Sequence, residues 1–314
     1  MPAAIADPIV QRLNALAQES SDLADAARVY AVILPLLRDA NLDVAPIDLT
    51  EATARAKLEQ GLPLLHEVDL AVDAQGVRDL MIRLARALEE PPAPHTAPKA
   101  RAHAPDAFAL YESARSGDGE MLRAAAARQI RLALEADRVD MSALLPRVTA
   151  GDRAFVAMLA RESKLDEGLL WALAQNAIKP GLRAWQRELS TLAANGNWQR
   201  GYCFVCGAAA TLGELQGNDQ EKHLRCGTCG ADWRFPRLQC LYCGNTDPKT
   251  LGYLYPEKLR EQMRIDICDN CHGYLKVISA FSPTPVECLA VQDLATLHLD
   301  YIAQERGYAR VAIT

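Results

Sequence analysis

The chain has 314 residues, half of them apolar, with 34 Lys and Arg against 40 Asp and Glu. That is enough for two ordinary domains with real cores, and a net charge of −6 argues against a general phosphate-backbone binder. The start lacks a basic segment followed by an apolar run, and the best apolar stretch, Val29 to Leu37, is short and holds Pro35, so a cytoplasmic protein without membrane insertion is expected.

Residues 1–197 read as a helical domain. Asp7-Pro8 is a start signal, Asp as cap and Pro in the first turn, with Ile9, Leu13 and Leu16 at helical spacing. Leu23, Ala27, Tyr30, Leu34 and Leu37 mark a second helix, and Asp48-Leu49-Thr50-Glu51 resembles a capping box with Asp48 in the cap. Another helix is expected over 73–89. Five prolines between Pro91 and Pro105 then mark a loop or linker. Helical periodicity resumes over 107–115, 120–136, 152–161, 166–177 and 182–194, with Leu182, Trp185, Leu189 and Leu192 forming one stripe.

The texture changes after Trp198. Short strands are expected at 211–215, 223–225, 232–235, 251–255, 264–267 and 274–278, and a last helix from about Gln292 to Arg306, stopped by Gly307. The division is a first ribbon over 198–235, a second over 236–285 and a C-terminal helical segment over 286–314. The fold class is α+β, multidomain: a mainly α-helical domain, two tandem β-rich modules of rubredoxin or zinc-ribbon type, and a closing helix.

Eight of the nine cysteines fall in four CxxC pairs, Cys203/Cys206, Cys226/Cys229, Cys240/Cys243 and Cys268/Cys271. The long gaps separate the first pair from the second and the third from the fourth. Each fits a hairpin that brings two turns together, so Cys203, Cys206, Cys226 and Cys229 form one candidate site and Cys240, Cys243, Cys268 and Cys271 the other. Two intervening residues let both sulfurs of a turn reach one ion, and two turns complete a tetrahedron. Gly207, Gly230 and Gly244 follow three of the pairs, where positive φ is needed; His272 takes that place after the fourth. Tetrahedral sulfur suits Zn²⁺ or mononuclear iron, giving two metal ions per chain, Zn or Fe. A closed four-cysteine site leaves no open coordination position, and no P-loop, GxGxxG, HExxH or GxSxG occurs, so no catalytic residues are assigned. Cys288 stands outside the pattern as a packed thiol, and His223 and His272 are unneeded as ligands. Trp233, Phe235, Tyr242, Tyr253 and Tyr255, interleaved with Arg234 and Arg237, are core filling or, alternatively, a stacking platform for single-stranded nucleic acid.

These runs (GYCFVCG, HLRCGTCGADW, LQCLYCG and DICDNCHGYLKVI, then VECLAVQDLATL and QERGYAR in the tail) resemble the formate dehydrogenase accessory protein family, FdhE, from about Arg200 to Arg310. The resemblance implies a cytoplasmic maturation factor rather than an enzyme, with rubredoxin-like metal sites at the eight cysteines. It also implies one partner, the catalytic subunit of respiratory formate dehydrogenase before export. The rivals are a rubredoxin-like electron-transfer protein and a nucleic-acid-binding double zinc ribbon.

Overall fold

The computed structural model describes residues 7–68, 70–89, 117–193, 198–256 and 259–310. The Pro-rich stretch and the helix expected over 107–115 lie outside them. The chain divides into two compact units: one holds Met1–Ala45 and Leu70–Gly181, the other Pro46–Asp69 and Leu182–Thr314.

The first unit is helical: α1 (Pro8–Glu19), α2 (Ala24–Arg38), α4 (Ala74–Glu89), α5 (Gly117–Glu135), α6 (Met141–Thr149), α7 (Arg153–Ser163) and the start of α8 (Glu167–Leu189). α1 packs on α2 and α4 on α5. Leu13, Ile33, Val77, Leu80, Met81, Leu84, Ile130 and Leu144 are buried at helical spacing, so burial of amphipathic faces, more than propensity, holds the bundle. Asp7 caps α1 as expected, accepting from Ile9 N at 2.9 Å. α6 has no counterpart among the helices expected from sequence, and it runs through Pro146. Asp140 nevertheless caps it, accepting from Ser142 N and Ala143 N at 2.9 and 3.3 Å.

Three expectations are corrected. The segments at 166–177 and 182–194 form one helix, α8, up to Leu189, with a 3₁₀ turn at Ser190–Ala193. Pro180 removes one backbone bond, but Leu173, Ala177, Ile178, Leu182, Trp185 and Leu189 are all buried along a single stripe, and that gain outweighs a proline penalty of about 3 kcal/mol. The cap of α3 (Glu51–Glu59), which lies in the second unit, is Thr50, accepting from Thr53 N at 3.2 Å, not Asp48. The C-terminal helix is two, α9 (Val286–Ala295) and α10 (Leu297–Glu305). Buried Thr296 interrupts them, its hydroxyl donating to Gln292 O at 2.8 Å instead of letting the helix run on.

The second unit is built on one six-stranded sheet ordered β3-β2-β1-β6-β5-β4. Its strands are β1 (Leu212–Gln216), β2 (Glu221–Arg225), β3 (Asp232–Arg234), β4 (Leu251–Leu254), β5 (Met263–Cys268) and β6 (Gly273–Ala280). Within each ribbon the pairing is antiparallel; β1 and β6 join the ribbons in parallel, from Gly213↔Val277 to Gln216↔Ala280. The tandem modules therefore share a sheet. α10 seals it, Leu299 and Ala303 packing with Ile265 and Tyr274.

Candidate metal centres

Each CxxC pair forms the same tight turn. Cys203 N donates to Ala208 O and Gly207 N to Cys203 O, at 2.8 and 3.0 Å; Cys226 with Ala231 and Gly230, and Cys240 with Asn245 and Gly244, repeat both bonds at 2.8–3.0 Å. The backbone must turn left-handed after the second cysteine, at Gly207 (φ +78°), Gly230 (+86°), Gly244 (+71°) and, in the fourth turn, His272 (+54°). His272 tolerates this because the chain end clamps it: Ala309 N donates to His272 O at 2.8 Å and Tyr274 N to Ala309 O at 3.2 Å.

The turns meet in the grouping read from the spacing. Cys203, Cys206, Cys226 and Cys229 place their sulfurs within 4.8 Å of one another, as do Cys240, Cys243, Cys268 and Cys271. Cys203–Cys229 and Cys206–Cys226 sulfurs are 3.5 and 3.6 Å apart; Cys240–Cys271 and Cys243–Cys268 are 3.6 and 3.8 Å. These distances are far beyond a disulfide bond. They match the edge of a tetrahedron whose corners lie roughly 2.3 Å from a central ion, about 3.8 Å, so the donor set fits one four-coordinate metal in each group.

The electrostatics point the same way. Hydrogen bonds from Cys203, Cys206 and Cys229 hold the Cys226 thiol well below its ordinary pKa, while burial drives Cys203 well above. Four sulfurs this close cannot all ionise without a cation between them. Donors stand ready for the charge: Val205 N on Cys203 Sγ at 3.4 Å and Cys229 N on Cys226 Sγ at 3.5 Å in the first group. In the second, side-chain amides do this, Asn270 on Cys243 at 3.5 Å and Asn245 on Cys268 at 3.7 Å. The groups differ in exposure. Cys203, Cys226 and Cys229 are sealed, whereas Cys243 is open to solvent. Slight burial opposes ionisation of Cys243, but the Asn270 amide and the Asn245 N–H bring it down to about 7.

Several groups that frame the sites carry no sequence motif. Residues 61–65 strap the first turn, with Leu64 N on Phe204 O (2.7 Å), Leu65 N on Val205 O (3.0 Å) and Tyr202 OH on Gly61 O (2.7 Å). Glu214, fully buried, binds Arg225 Nη1 at 2.6 Å, Gln216 at 2.8 Å and Thr284 N at 3.2 Å. At the other ribbon Lys276, 1% exposed, lies 2.7 Å from both Asp293 and Asp300, and Arg310 reaches the same two carboxylates at 2.9 and 3.2 Å. Asp293 and Arg310 sit in the tail motifs quoted above. Arg183 on α8 is half-buried, with an enclosed Nε that makes no hydrogen bond among the described residues. Burial lowers its pKa, while Glu287, Cys229 and Cys226 act in the opposite sense.

The other candidates fall elsewhere. His223 pairs with Asp232, His272 lies against the Tyr308 ring, and Cys288 is half-buried on α9 outside both groups. Trp233 and Phe235 are buried, Trp233 donating to Arg200 O at 3.0 Å, and Tyr242 donates to Tyr274 O at 2.8 Å. Tyr253 and Tyr255 are partly exposed, with Arg264 and Arg260 stacked on their rings at 4.1 and 4.6 Å.

A helical unit followed by a sheet carrying two four-cysteine groups defines a double-ribbon protein, and comparison places it. Residues 238–314 match the family described as FdhE, C-terminal domain. A protein FdhE homologue of Aquifex aeolicus is 32% identical over 120 residues, 36% of this chain and 41% of that protein. Protein FdhE of Escherichia coli is 33% identical over 147 residues, 46% and 43% of the two. The chain thus spans less than half the length of these curated relatives. The crystal structure of the FdhE protein from Pseudomonas aeruginosa shares the fold over 96% of this chain and 91% of that one, with a TM-score of 0.56 at 24% identity. The C-terminal part of the chain is thus similar to FdhE proteins, in the stretch that holds the second cysteine group and the tail motifs, and the solved structure shows the same fold. No helix among the described residues is long and apolar enough to cross a membrane.

Proposed function

We propose that this chain is a formate dehydrogenase accessory protein. In this reading it holds one Zn or Fe ion at Cys203, Cys206, Cys226 and Cys229 and a second at Cys240, Cys243, Cys268 and Cys271. It uses the resulting rigid module to bind the catalytic subunit of a respiratory formate dehydrogenase in the cytoplasm, before export. The observation that carries the reading is the pair of closed four-sulfur groups, the second of which lies within the segment that matches the FdhE C-terminal domain. A metal with four protein sulfurs offers no place for substrate, so its task is to supply folding energy and hold a surface in shape. Residues 198–235 and 236–285 then serve as one recognition module that follows the helical region 1–197 in sequence and is closed by 286–314.

The test is binding of the metal-loaded full chain to a purified formate dehydrogenase catalytic subunit. A complex that survives moderate salt and is lost with Cys240→Ser supports the reading; a strong salt slope would mark nucleic-acid-like electrostatics instead. Rubredoxin-like electron transfer remains a second reading because exposed Cys243 gives one centre an edge at solvent. Failure to bind any subunit, together with fast redox cycling of the iron-loaded chain, would favour it.

A further inference from the structure

The two edges of the six-stranded sheet are finished differently. β3, at one edge, is three residues long and carries Asp232 and Arg234, with Arg234 paired to Glu221 of β2. Short length and charge are common means by which an edge strand refuses another chain. β4, at the other edge, reads Leu-Gly-Tyr-Leu and has no charge along it. The direction of its free backbone groups follows from the ladder. Asp269 N donates to Thr250 O at 2.8 Å, and the register sets Gly252 opposite Ile267 and Leu254 opposite Ile265. On the far side of β5, Ser279 N donates to Gln262 O at 2.8 Å, so Arg264, Asp266 and Cys268 turn their backbone groups to β6 and Ile265 and Ile267 turn theirs to β4. Bonded and non-bonded pairs alternate in an antiparallel ladder. The N–H and C=O groups of Gly252 and Leu254 are therefore used on β5, and those of Leu251 and Tyr253 point away from the sheet. Among the described residues no strand meets them.

The side chains along this edge suit protein binding. Tyr253 and Tyr255 are 38% and 37% exposed, with Arg264 and Arg260 over their rings. Arg237 lines a cleft together with Leu251, Gly252 and Tyr253. Arg264 is matched by Asp266 at 2.7 Å, but Arg237 and Arg260 are both exposed and pair with no carboxylate among the described residues. Exposed tyrosine and arginine are enriched where proteins bind one another. The unmatched charge is positive, which opposes pairing of this edge with the same edge of a second copy and favours an acidic chain.

We infer that β4 is a docking edge, and that an extended, acidic segment of the partner adds to it as a seventh strand. The inference rests on the reading of the chain as an accessory protein that binds a formate dehydrogenase catalytic subunit, and it names where and how that subunit is held. Main-chain bonds to Leu251 and Tyr253 supply affinity, and Arg237 and Arg260 select Asp and Glu at alternate positions of the added strand.

The experiment uses the metal-loaded full chain and a purified catalytic subunit. Amide hydrogen exchange read residue by residue should slow at Leu251 and Tyr253 when the complex forms, while Gly252 and Leu254 are already protected in the free chain. Tyr253→Pro removes an outward donor and no bond to β5, which an edge strand tolerates. It should bind about ten-fold or more weakly than Tyr253→Ala, which loses the same ring but keeps the N–H. Replacing Arg237 and Arg260 together by Glu should weaken binding by a similar factor. A complex that leaves exchange at Leu251 and Tyr253 unchanged would overturn the inference while the accessory reading stood, and this arm needs no variant to fold. Equal binding by Tyr253→Pro and Tyr253→Ala would overturn it too. Dimerisation of the chain alone that is lost in Tyr253→Pro would assign the edge to a second copy instead. Absence of any complex between the native chain and the subunit would remove the accessory reading and the inference with it.

Discussion

Four residues one step beyond a CxxC pair share one backbone conformation, yet their surroundings differ, and that difference can be measured. Gly244 has open space where a Cβ would be, so Gly244→Ala should cost only the left-handed penalty of about 1–2 kcal/mol. Gly230 adds a clash with Val286, and Gly230→Ala should cost clearly more in urea unfolding of the metal-loaded chain. His272 carries the strain without glycine's freedom, so His272→Gly should be neutral or stabilising by up to about 1 kcal/mol, unless the Tyr308 contact matters more. Glu214→Ala removes the nearest carboxylate of buried Arg225, leaving it Asp232 at 3.5 Å and the Thr284 carbonyl, and should destabilise by about 3 kcal/mol, whereas Glu221→Ala, at an exposed pair with Arg234, should cost under about 1 kcal/mol.

At the scale of elements, the parallel pairing of β1 with β6 changes what losing one metal would do. Two separate ribbons would unfold independently; a shared sheet passes the loss on. Cys203→Ser should therefore weaken amide-exchange protection in β6 as well as in β1 and β2. Gly213→Leu, aimed at Val277 and Leu275 within about 3 Å, should reduce that coupling by prising the strands apart. The ion cluster under β6 adds a pH dependence. Burial opposes it, but Lys276 and then Arg310 hold the folded-state pKa of Asp293 far below its unfolded value of 3.8. Its stabilisation is complete above that unfolded value and is lost as pH falls through the folded one. Asp293→Asn should flatten the acid limb of a denaturation profile below about pH 4. The strands and both cysteine groupings could be read from sequence because turn chemistry is local: Gly207, Gly230 and Gly244 announce their turns. The joining of the ribbons could not, since nothing in Leu212–Gln216 declares a partner sixty residues on. The continuity of α8 through Pro180 was not legible because it depends on the buried stripe, and the break at Thr296 because a broken helix keeps the periodicity of a continuous one. Glu214 carries no motif; only tertiary placement gives it a role.

For the whole molecule, the proposed reading makes metal the principal source of stability for the sheet unit, while the helical unit has its own apolar core. Structural zinc supplies on the order of 10–16 kcal/mol in small domains, comparable to the entire stability of an ordinary domain. Stripping the metal with a strong chelator should therefore unfold 198–310 while limited proteolysis leaves 117–181 intact. Because ligation requires thiolates, acid should have the same effect by returning protons to the sulfurs. The number of ions the chain carries, and what holds them, is the property on which everything above depends. Metal analysis of protein purified without oxygen, paired with Cys203→Ser and Cys240→Ser variants, tests both. Two equivalents of Zn or Fe in the native chain, with each variant losing at least the ion of its own group, is the predicted result. A single equivalent, or two that persist when Cys203 or Cys240 is replaced, would contradict it.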